Sequence, residues 1–542
     1  MGLGLRLGFG LGAIAATIGG VQWFLDSAAA GGGDGSAAAP YNSISALLAD
    51  GDLDSNQVIN IERGSTFREF LDLNAYDGMT VQASGTGADP IISAFDVVTG
   101  WSLTSGRTNT YEVSFTSDYG TNNINSVLGF KEDGKPLVYQ SSVANCEANP
   151  GSYAVTGFAN GGVAQTVYIH PYGSTNPASD GKTYEVTRRK ACIEIGDNAT
   201  IADISLTGNI SDDGSLKAGR NLNYQRGAIR HGNNHNALAT SGQFVDTAIE
   251  FNDEGQVSAS PSLVVFFVST TQTPKLTGLV SGGTMKAGHP DDTNYRNTQG
   301  IYAHDGQSGI SYSEIKALGV DCDRLVHVVS AAADQCTTEN CTTPRGKTIG
   351  ASSIAANQRY INSFITYAAG NTAPSPGKWI RASGCRFYDR TGVTMVSHSG
   401  AGTEATFDYC SFDAVGSASG GTTRINVINT GATGTVLGMN NCVVKYVGRI
   451  YVFLTQGNYD TSIRSMDNNI LWWATNAIAI IITGFESFAE WQALGNDANS
   501  LRVDPDYAGD TSAGVFTTGA NEIIRADNPE GDLAAGVENY SA

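Results

Sequence analysis

The sequence between residues 381 and 482 repeats one short phrase four times: Ser383-Gly-Cys-Arg-Phe-Tyr388, Asp408-Tyr-Cys-Ser-Phe-Asp413, Asn440-Asn-Cys-Val-Val-Lys445 and Asp467-Asn-Asn-Ile-Leu-Trp472. Aligned on Cys385, Cys410, Cys442 and Asn469, the copies lie 25, 32 and 27 residues apart. Each copy is followed by short runs rich in β-branched and aromatic residues, bounded by Gly, Asn, Asp and Ser. Strands this short cannot bury a face alone, so the repeat predicts successive coils stacked into a solenoid. The pattern is typical of a parallel β-helix.

Stacking makes a prediction about the cysteines of the repeat. Equivalent positions in adjacent coils lie roughly 4.8 Å apart, so Cys385, Cys410, Cys442 and Asn469 should form an internal ladder of small buried side chains. Disulfides or a metal site are the weaker alternative, because the spacings match no metal-ligand pattern. Cys336 and Cys341 could close a local disulfide in an exported protein; otherwise they are two free thiols in a loop.

Composition limits the partners of the chain. The 542 residues include 66 glycines and only 15% charged residues, which suits many tight turns and a polar, uncharged surface. A formal net charge of −20 disfavours nucleic acid and anionic membrane surfaces. A solenoid grows by adding coils, so a single elongated domain is compatible with this length.

The N-terminal segment, residues 1–29, alternates leucine or phenylalanine with glycine from Gly2 to Gly12. A strand with one apolar face and one bare face can add to another protein's sheet, which favours an attachment segment. A cleaved leader ending near Ala28-Ala-Ala30 and an uncleaved membrane anchor are the alternatives. Residues 30–57 then read as a linker and N-terminal cap, with a flexible linker over 30–40 and a short helix or capping turn from Ile44 to Ala49.

The next segment carries a family resemblance. It reads Val58-Ile-Asn-Ile-Glu-Arg-Gly-Ser-Thr-Phe-Arg68, then Gly85-Thr-Gly-Ala-Asp-Pro-Ile-Ile-Ser93, then Trp101. This resembles the N-terminal coils of the pectate-lyase-like right-handed parallel β-helix superfamily. The likeness continues through Asp133-Gly134, Val167 to Gly173, Asn176-Pro177 and Tyr184 to Val186, and the stretches at 488–500 and 504–507 resemble the closing coil.

The resemblance implies an all-β, right-handed parallel β-helix over residues 58–484, with a closing coil and C-terminal cap over 485–542. The superfamily includes lyases, hydrolases and non-catalytic binders, so it predicts the fold better than the reaction.

Functional residues are expected in the central third of the chain. Long polar intervals at 207–240, 286–300 and 331–358 interrupt the coils there, and such loops usually cluster over one face and build a groove. A glycosidase needs a proton-donating carboxyl and a second carboxylate. A lyase acting on a uronic acid needs a cation on the sugar carboxylate and a base. The catalytic candidates are Asp291, Asp305, Asp323 and His327; the substrate-binding candidates are Arg230, His231, His235, His304 and Arg324.

Turn chemistry or a buried structural histidine is the alternative role for each candidate. The sequence contains no nucleophile elbow, phosphate loop or metal motif. No cofactor is predicted, other than Ca²⁺ in the case of a lyase.

The architecture and the Gly-Leu start are similar to those of bacteriophage tailspikes. That likeness implies a homotrimer in the virion tail, attached to tail or baseplate proteins through residues 1–29. Its β-helix is expected to bind host surface polysaccharide, with or without depolymerising it. The short acidic stretch at 510–542 departs from tailspikes that carry a large trimerising or chaperone-like domain. One alternative is a secreted, monomeric bacterial polysaccharide lyase or glycoside hydrolase; another is a non-catalytic receptor-binding or structural spike. Neither nucleic acid binding nor membrane insertion is predicted.

Overall fold

The computed structural model describes most of the chain. The described residues are 20–116, 129–156, 164–209, 214–231, 235–250, 262–268, 274–286, 299–305, 312–322, 327–328, 333–343, 357–367, 379–389, 396–398, 404–414, 426–430, 433–446, 449–453, 460–473, 478–480, 484–486 and 488–502. Within these ranges nearly all regular structure is β-strand.

The repeating unit of the fold is a coil of three strands that belong to three different sheets. Leu222–Gln225 lies in sheet 1, Ala228–Arg230 in sheet 2 and His235–Ala239 in sheet 3, after which Gly242–Val245 returns to sheet 1 one coil further on. Leu222 pairs with Gly242 in parallel register. The parallel β-helix predicted from the repeat is confirmed.

The strands of each sheet follow one another from the N-terminal end of the stack. Sheet 1 contains Gln22–Leu25, Val58–Glu62, Thr80–Ser84, Thr200–Ala202, Leu222–Gln225, Gly242–Val245, Leu276–Ser281, Tyr312–Leu318, Ala333–Glu339, Asn357–Ile361, Trp379–Ser383, Glu404–Asp408, Val436–Asn440 and Ile463–Asp467. Sheet 2 contains Thr66–Phe67, Ile91–Ser93, Ser205–Thr207, Ala228–Arg230, Ala248–Glu250, Thr284–Lys286, Asp321–Cys322, Thr342–Thr343, Phe364–Tyr367, Arg386–Asp389, Ser411–Ala414, Val443–Tyr446, Ile470–Trp473 and Leu501–Arg502.

On the third side of the stack, the described strands form two separate sheets. Sheet 3 contains Leu71–Leu73, Ile193–Ile195, Leu216–Ala218, His235–Ala239, Ser262–Val268, Gln299–Asp305 and His327–Val328. Sheet 4 takes the equivalent place in the chain order of later coils, with Val396–His398, Asn426–Thr430, Arg449–Phe453, Ile478–Ile480 and Gly484–Glu486, the last of which is antiparallel.

Inward-facing side chains stack from coil to coil and form the core. Tyr224, Phe244, Phe266 and Tyr312 are fully buried, with successive ring centroids 5.9, 6.2 and 6.4 Å apart. These separations fall in the range where aromatic pairs attract each other beyond simple burial. Tyr224 and Phe244 are register partners in sheet 1, and Phe266 of sheet 3 and Tyr312 of sheet 1 continue the aromatic column through the core.

A ladder of small side chains follows the tight corner between sheets 1 and 2. The backbone N–H of Cys410 donates to Cys442 Sγ at 3.4 Å, and that of Cys442 donates to Asn469 Oδ1 at 2.9 Å. The predicted internal ladder is confirmed, and it is longer than the sequence indicated, because Cys341 and Ser363 precede it and Ser500 follows it.

The backbone conformation at the corner explains which type of residue precedes each ladder member. These residues have φ between 46° and 63°, the left-handed region that glycine and asparagine tolerate best. They are Asn340, Asn362, Gly384, Tyr409, Asn441 and Asn468. Among them only Tyr409 departs from the Gly or Asn preference.

Seven cysteines are buried free thiols: Cys146, Cys192, Cys336, Cys341, Cys385, Cys410 and Cys442. Cys336 and Cys341 stand on either side of a corner, 3% and 1% exposed, and form no disulfide with each other. Burial raises the pKa of Cys336 and of Cys385. High pKa values and lack of solvent contact make these thiols structural rather than reactive.

The N-terminal end begins earlier than predicted. Gln22–Leu25 pairs in parallel with Val58–Glu62, so the first strand of the β-helix falls within the segment assigned to attachment. The prediction of a flexible linker over 30–40 is wrong, because Phe24 donates a backbone hydrogen bond to Gly35 at 2.9 Å and receives one from Tyr41 at 2.9 Å. An edge strand has unpaired backbone groups along one side, and here the chain folds back so that Gly35 and Tyr41 pair with Phe24.

Short helices cover both ends of the stack. The predicted helix near Ile44 is confirmed as Ile44–Asp50, and Ser43 caps it through a 3.1 Å bond to the Ala46 N–H. At the other end Phe488–Ala493 places Trp491 in full burial, with its indole N–H 2.9 Å from Asp497. In the described part of the chain, no helix is long and apolar enough to cross a membrane.

Residues 95–187 form an insert between a sheet 2 strand and a sheet 3 strand of one coil. Its strands are mostly antiparallel and surround a separate apolar core. One sheet contains Phe95–Val97, Phe130–Glu132, Lys135–Pro136 and Tyr184–Thr187; the other contains Ser102–Leu103, Tyr111–Thr116, Val138–Tyr139, Ser152–Thr156 and Ala164–His170, with the helix Val143–Ala148 alongside. The prediction that 58–484 is β-helix throughout is corrected here, since hairpin strands alternate like coil strands and the pattern does not separate them.

Asn469→Ala tests the ladder. The Asn469 side chain accepts from Cys442 and donates to the Met439 carbonyl and to Asp497, both at 2.7 Å, in full burial. Its removal leaves buried partners unsatisfied, and we expect the free energy of unfolding to fall by about 2–4 kcal/mol. Denaturant unfolding followed by hydrogen exchange in Ile463–Asp467 measures the loss. Asn440→Ala, on the half-exposed side of the same corner, is the matched control, and an equal loss in both variants would contradict the role of the ladder.

Candidate functional site

The outward face of sheet 3 carries the candidate site. Phe266 points into the core and is fully buried, whereas the alternating Phe267 and Tyr302 are half-buried on the opposite side. Leu238, Val265 and Tyr302 are register partners across three successive coils. An apolar and aromatic strip therefore runs along the helix axis on this face.

The same register row becomes charged toward the N-terminal end. Asp72, Glu194 and Lys217 are consecutive partners that precede Leu238 in the row. The Glu194 side chain is 7% exposed, with Lys190 Nζ at 2.8 Å and Lys217 Nζ at 4.0 Å. Asp72 and Glu194 place two carboxylate-bearing positions about 4.8 Å apart at Cα. A pair of carboxylates on adjacent coils is the chemistry a glycosidase requires.

Four of the predicted site residues lie on sheet 3 strands. His304 and Asp305 end the strand Gln299–Asp305, and His327 opens the next strand as the register partner of Tyr302. The Cα atoms of His304 and His327 are therefore roughly 8 Å apart, one coil step and two residues along the strand. His235 begins a strand two coils earlier and pairs with Ser262, near the opposite edge of the sheet. The structure thus brings three of the four together.

Two further predicted residues lie where sheet 2 strands end, beside the insert. Arg230 pairs with Glu250 of the next coil at 3.0 Å, and its side chain is 44% exposed. His231 follows with φ of 55° and meets the Phe95 ring edge-on, with centroids 6.2 Å apart. The remaining predicted residues, Asp291, Asp323 and Arg324, lie outside the described residues.

Lys131 of the insert meets the β-helix at the same place, and no sequence pattern singles this residue out. The residue is 6% exposed, with Nζ 3.1 Å from Thr207 Oγ1 and 3.7 Å from the Phe95 ring centroid. Burial lowers the pKa of Lys131 to about 8, against an opposing effect of the nearby Glu185 carboxylate. Glu185 is itself paired with Arg68 at 2.8 Å. These contacts tie the insert to the coils next to Arg230 and His231.

The sequence also missed the aromatic strip. Ser262–Val268 is a continuous apolar run, so alternation does not show which of its side chains leave the core. Only the register with the neighbouring coils separates Phe267 from Phe266. Metal binding finds no support on this face, because the described residues bring no group of three metal-ligating side chains together. The Ca²⁺ ion of a lyase remains a prediction.

Comparison with known proteins supports the fold. No family model matches the chain, and no curated protein matches its sequence. Among solved structures, a complex of XylC with xylose aligns over 90% of this chain and 87% of that chain, with a TM-score of 0.52 and 10% identity. At this identity the likeness shows the architecture.

Two other solved structures align more loosely. A GH136 lacto-N-biosidase from Eubacterium ramulus covers 82% of this chain and 65% of that chain, with 12% identity and a TM-score of 0.29. The Gp54 tailspike of Acinetobacter baumannii bacteriophage AP22, in complex with A. baumannii capsular saccharide, covers 79% and 73%, with 10% identity and a TM-score of 0.23. The chain is an all-β protein of the right-handed parallel β-helix class.

Lys131→Met tests the junction between insert and coils. Between pH 8 and 10.5 the unfolded chain binds a proton at this amine that the folded chain does not, so the free energy of unfolding should rise with pH in the native sequence. We expect the difference between native and Lys131→Met proteins to grow by about 2–3 kcal/mol from pH 7 to pH 10. Urea unfolding at four pH values measures it, with Lys135→Met, an exposed lysine of the insert, as control. Parallel pH profiles of all three proteins would contradict a neutral Lys131.

Proposed function

We propose that the chain binds a polysaccharide along the outward face of sheet 3. The observation that carries this proposal is the strip of half-buried side chains Leu238, Phe267 and Tyr302, which lie on three successive coils of this face, with the buried Val265 between Leu238 and Tyr302 in the register row. A linear polymer presents similar groups at regular intervals, and a solenoid presents similar side chains at regular intervals. The two repeats allow one polymer to make several equivalent contacts.

The chemistry of the strip suits a sugar. Aromatic rings offer rigid flat area to the apolar faces of pyranose rings, and a few placed polar groups then fix orientation. Glu194, Lys190 and Lys217 supply such groups at the N-terminal end of the strip. XylC, which shares the architecture, is known in complex with xylose, and this supports a saccharide as ligand.

We further propose that this polysaccharide belongs to the surface of a host bacterium and that the protein is a phage tailspike. Asp305 and His327, on adjacent strands beside Tyr302, are then the proposed catalytic group, together with Asp291 and Asp323. The residues proposed to contact the polymer are Arg230, His231, His235, His304 and Arg324. Trimer formation and location in the virion tail belong to the same proposal.

Attachment through residues 1–29 is supported by the position of the first strand. Gln22–Leu25 occupies the N-terminal end of sheet 1, so the chain enters the stack at one tip rather than along its side. A tail protein holding the preceding residues would leave the sheet 3 face open to the polysaccharide. Residues 1–19, which carry most of the Gly/Leu alternation, lie outside the described residues.

A Phe267→Ala, Tyr302→Ala double variant tests the binding face. We expect its affinity to fall at least 10-fold on a glycan array that carries bacterial capsular polysaccharides, lipopolysaccharide O-chains and xylo-oligosaccharides, because two stacking surfaces are removed. Tyr168→Ala, a half-buried tyrosine of the insert, is the matched control and should bind as the native protein does. Unchanged binding by the double variant, or binding to none of these glycans by the native protein, would count against the proposal.

For any glycan that binds, analysis of the products after incubation distinguishes binding alone from cleavage. New reducing ends indicate hydrolysis, and new ultraviolet absorbance from an unsaturated uronate indicates elimination. Neither product indicates a binder, which is the non-catalytic alternative. Asp305→Asn distinguishes a carboxylate-dependent reaction at this strand from one that depends on Asp72 and Glu194.

The mass of the native N-terminus tests attachment through residues 1–29. A tail-attached protein retains the segment, whereas a secreted enzyme loses about 30 residues to signal processing. Intact-mass measurement of protein purified from its natural source is expected to show the retained segment. A mass lower by the leader would favour the secreted lyase or hydrolase instead.

A further inference from the structure

His170 of the insert is a buried histidine whose two ring nitrogens both have partners. The residue is 2% exposed, with Nδ1 3.0 Å from the backbone oxygen of Cys146 and Nε2 2.9 Å from Ser174 Oγ. A carbonyl oxygen can only accept, so Nδ1 carries the proton and Nε2 is the acceptor. The hydroxyl of Ser174 therefore donates to His170. This is the order of contacts in a serine hydrolase, with a main-chain carbonyl in place of the usual carboxylate.

Ser174 occupies an exposed turn with an uncommon backbone conformation. Its φ is 51°, and its N–H closes a tight turn onto the Pro171 carbonyl at 2.9 Å. Asp180 holds the following loop by accepting from Thr175 Oγ1 at 2.8 Å and from the Tyr184 hydroxyl at 2.7 Å. Non-glycine residues at positive φ are costly and cluster at active sites, where a sharp turn presents one side chain to solvent.

Donors for a developing oxyanion flank this serine. Within the described part of the chain, the backbone N–H groups of Gly173 and Thr175 make no hydrogen bond. The Lys182 ammonium, paired with Glu132, lies 3.7 Å from the position a Cβ on Gly173 would take. Two free N–H groups and a nearby cation are the elements that stabilise a tetrahedral intermediate in acyl transfer.

We infer that the insert is an esterase that removes O-acyl groups from saccharide hydroxyls, with Ser174 as nucleophile and His170 as base. Ser174 Oγ attacks the ester carbonyl carbon while its proton passes to His170 Nε2. Collapse of the tetrahedral intermediate breaks the ester C–O bond, and the alcohol leaves with that proton. Water then attacks the acyl carbon while one of its protons passes to His170 Nε2. Collapse of this second intermediate breaks the bond between the acyl carbon and Ser174 Oγ, Oγ takes the proton back from Nε2, and the carboxylic acid leaves. The Cys146 carbonyl positions the ring and stabilises its protonated form.

The choice of a saccharide as acyl carrier rests on the proposed function, whereas the ester chemistry rests on the dyad alone. Small acyl esters are favoured because Ser174 lies in an open surface turn rather than at the end of a long apolar channel. Removal of acyl groups would expose sugar hydroxyls to the sheet 3 face of the same molecule. The insert and the coils would then act on one polymer in succession.

The experiment incubates the full chain with a fluorophosphonate probe, which reacts covalently with activated serines, and follows 4-nitrophenyl acetate hydrolysis in parallel. We expect an adduct at Ser174 by peptide mass spectrometry, and a fall in hydrolysis of at least about 100-fold in Ser174→Ala. His170→Gln should lose both signals with its fold intact by circular dichroism. Ser179→Ala, another exposed serine of the same loop, is the matched control and should keep both. No adduct at Ser174, or equal hydrolysis by native protein and Ser174→Ala, would overturn the site.

Acetate release from O-acetylated xylan and from an O-acetylated capsular polysaccharide tests the acyl carrier. The native protein should release acetate from at least one of them, and Ser174→Ala from neither. Hydrolysis of 4-nitrophenyl acetate without acetate release from either polymer would overturn the saccharide while leaving the serine site. The Phe267→Ala, Tyr302→Ala double variant should retain full hydrolysis of the small ester, so failure of the binding face and failure of the esterase are separate results.

Discussion

Backbone pairing between parallel strands is the constraint on which the rest of this structure depends. It sets a step of about 4.8 Å between coils and allows only one register at each pair. Each side chain must then pack against the side chains at the equivalent positions of the coil before it and the coil after it. The register partners Tyr224 and Phe244, whose ring centroids lie 5.9 Å apart, satisfy this requirement inside the stack. On the outside of sheet 1, side-chain amides of adjacent coils hydrogen-bond to each other. Gln82 donates to Asn60 at 2.9 Å, and Gln243 donates to Asn223 at 3.0 Å.

The repeat at 381–482 could be read from the sequence because the constraint is strictest at the tight corner. A left-handed residue followed by a small buried one leaves few choices, so Gly384, Asn441 and Asn468 mark the corner, and the ladder residues Cys385, Cys442 and Asn469 follow them directly. Elsewhere the same physics permits more variety. The strand Gln22–Leu25 is short and separated from its partner by more than 30 residues, so nothing local marks it as the first coil. Residues 30–40 have the composition of a linker, yet tertiary hydrogen bonds hold them in place.

The same limit applies to the candidate site: the sequence pattern indicates some of its residues and not others. Polar candidates such as His304, Asp305 and His327 could be selected from the sequence because they interrupt apolar strands, and the register places them on adjacent strands of sheet 3. The aromatic strip could not, since Phe267 differs from its buried neighbour only by its register. Lys131 and Ser174 depend on contacts across the insert, where partners lie in distant segments: Lys131 meets Thr207 and His170 meets Cys146. Antiparallel hairpins alternate as coils do, so the sequence pattern predicts β-helix over the insert as well.

The insert leaves the stack after Ile91–Ser93 and rejoins it at Ile193–Ile195, two strands that belong to the same coil. Both neighbouring coils keep their pairing across this gap: Ile92 still pairs with Leu206, and Leu71 with Ile193. An entire module can therefore be gained, lost or exchanged at one corner without altering the pitch of the helix. Such a module can vary in evolution independently of the coils on either side of it, because their register does not depend on its sequence.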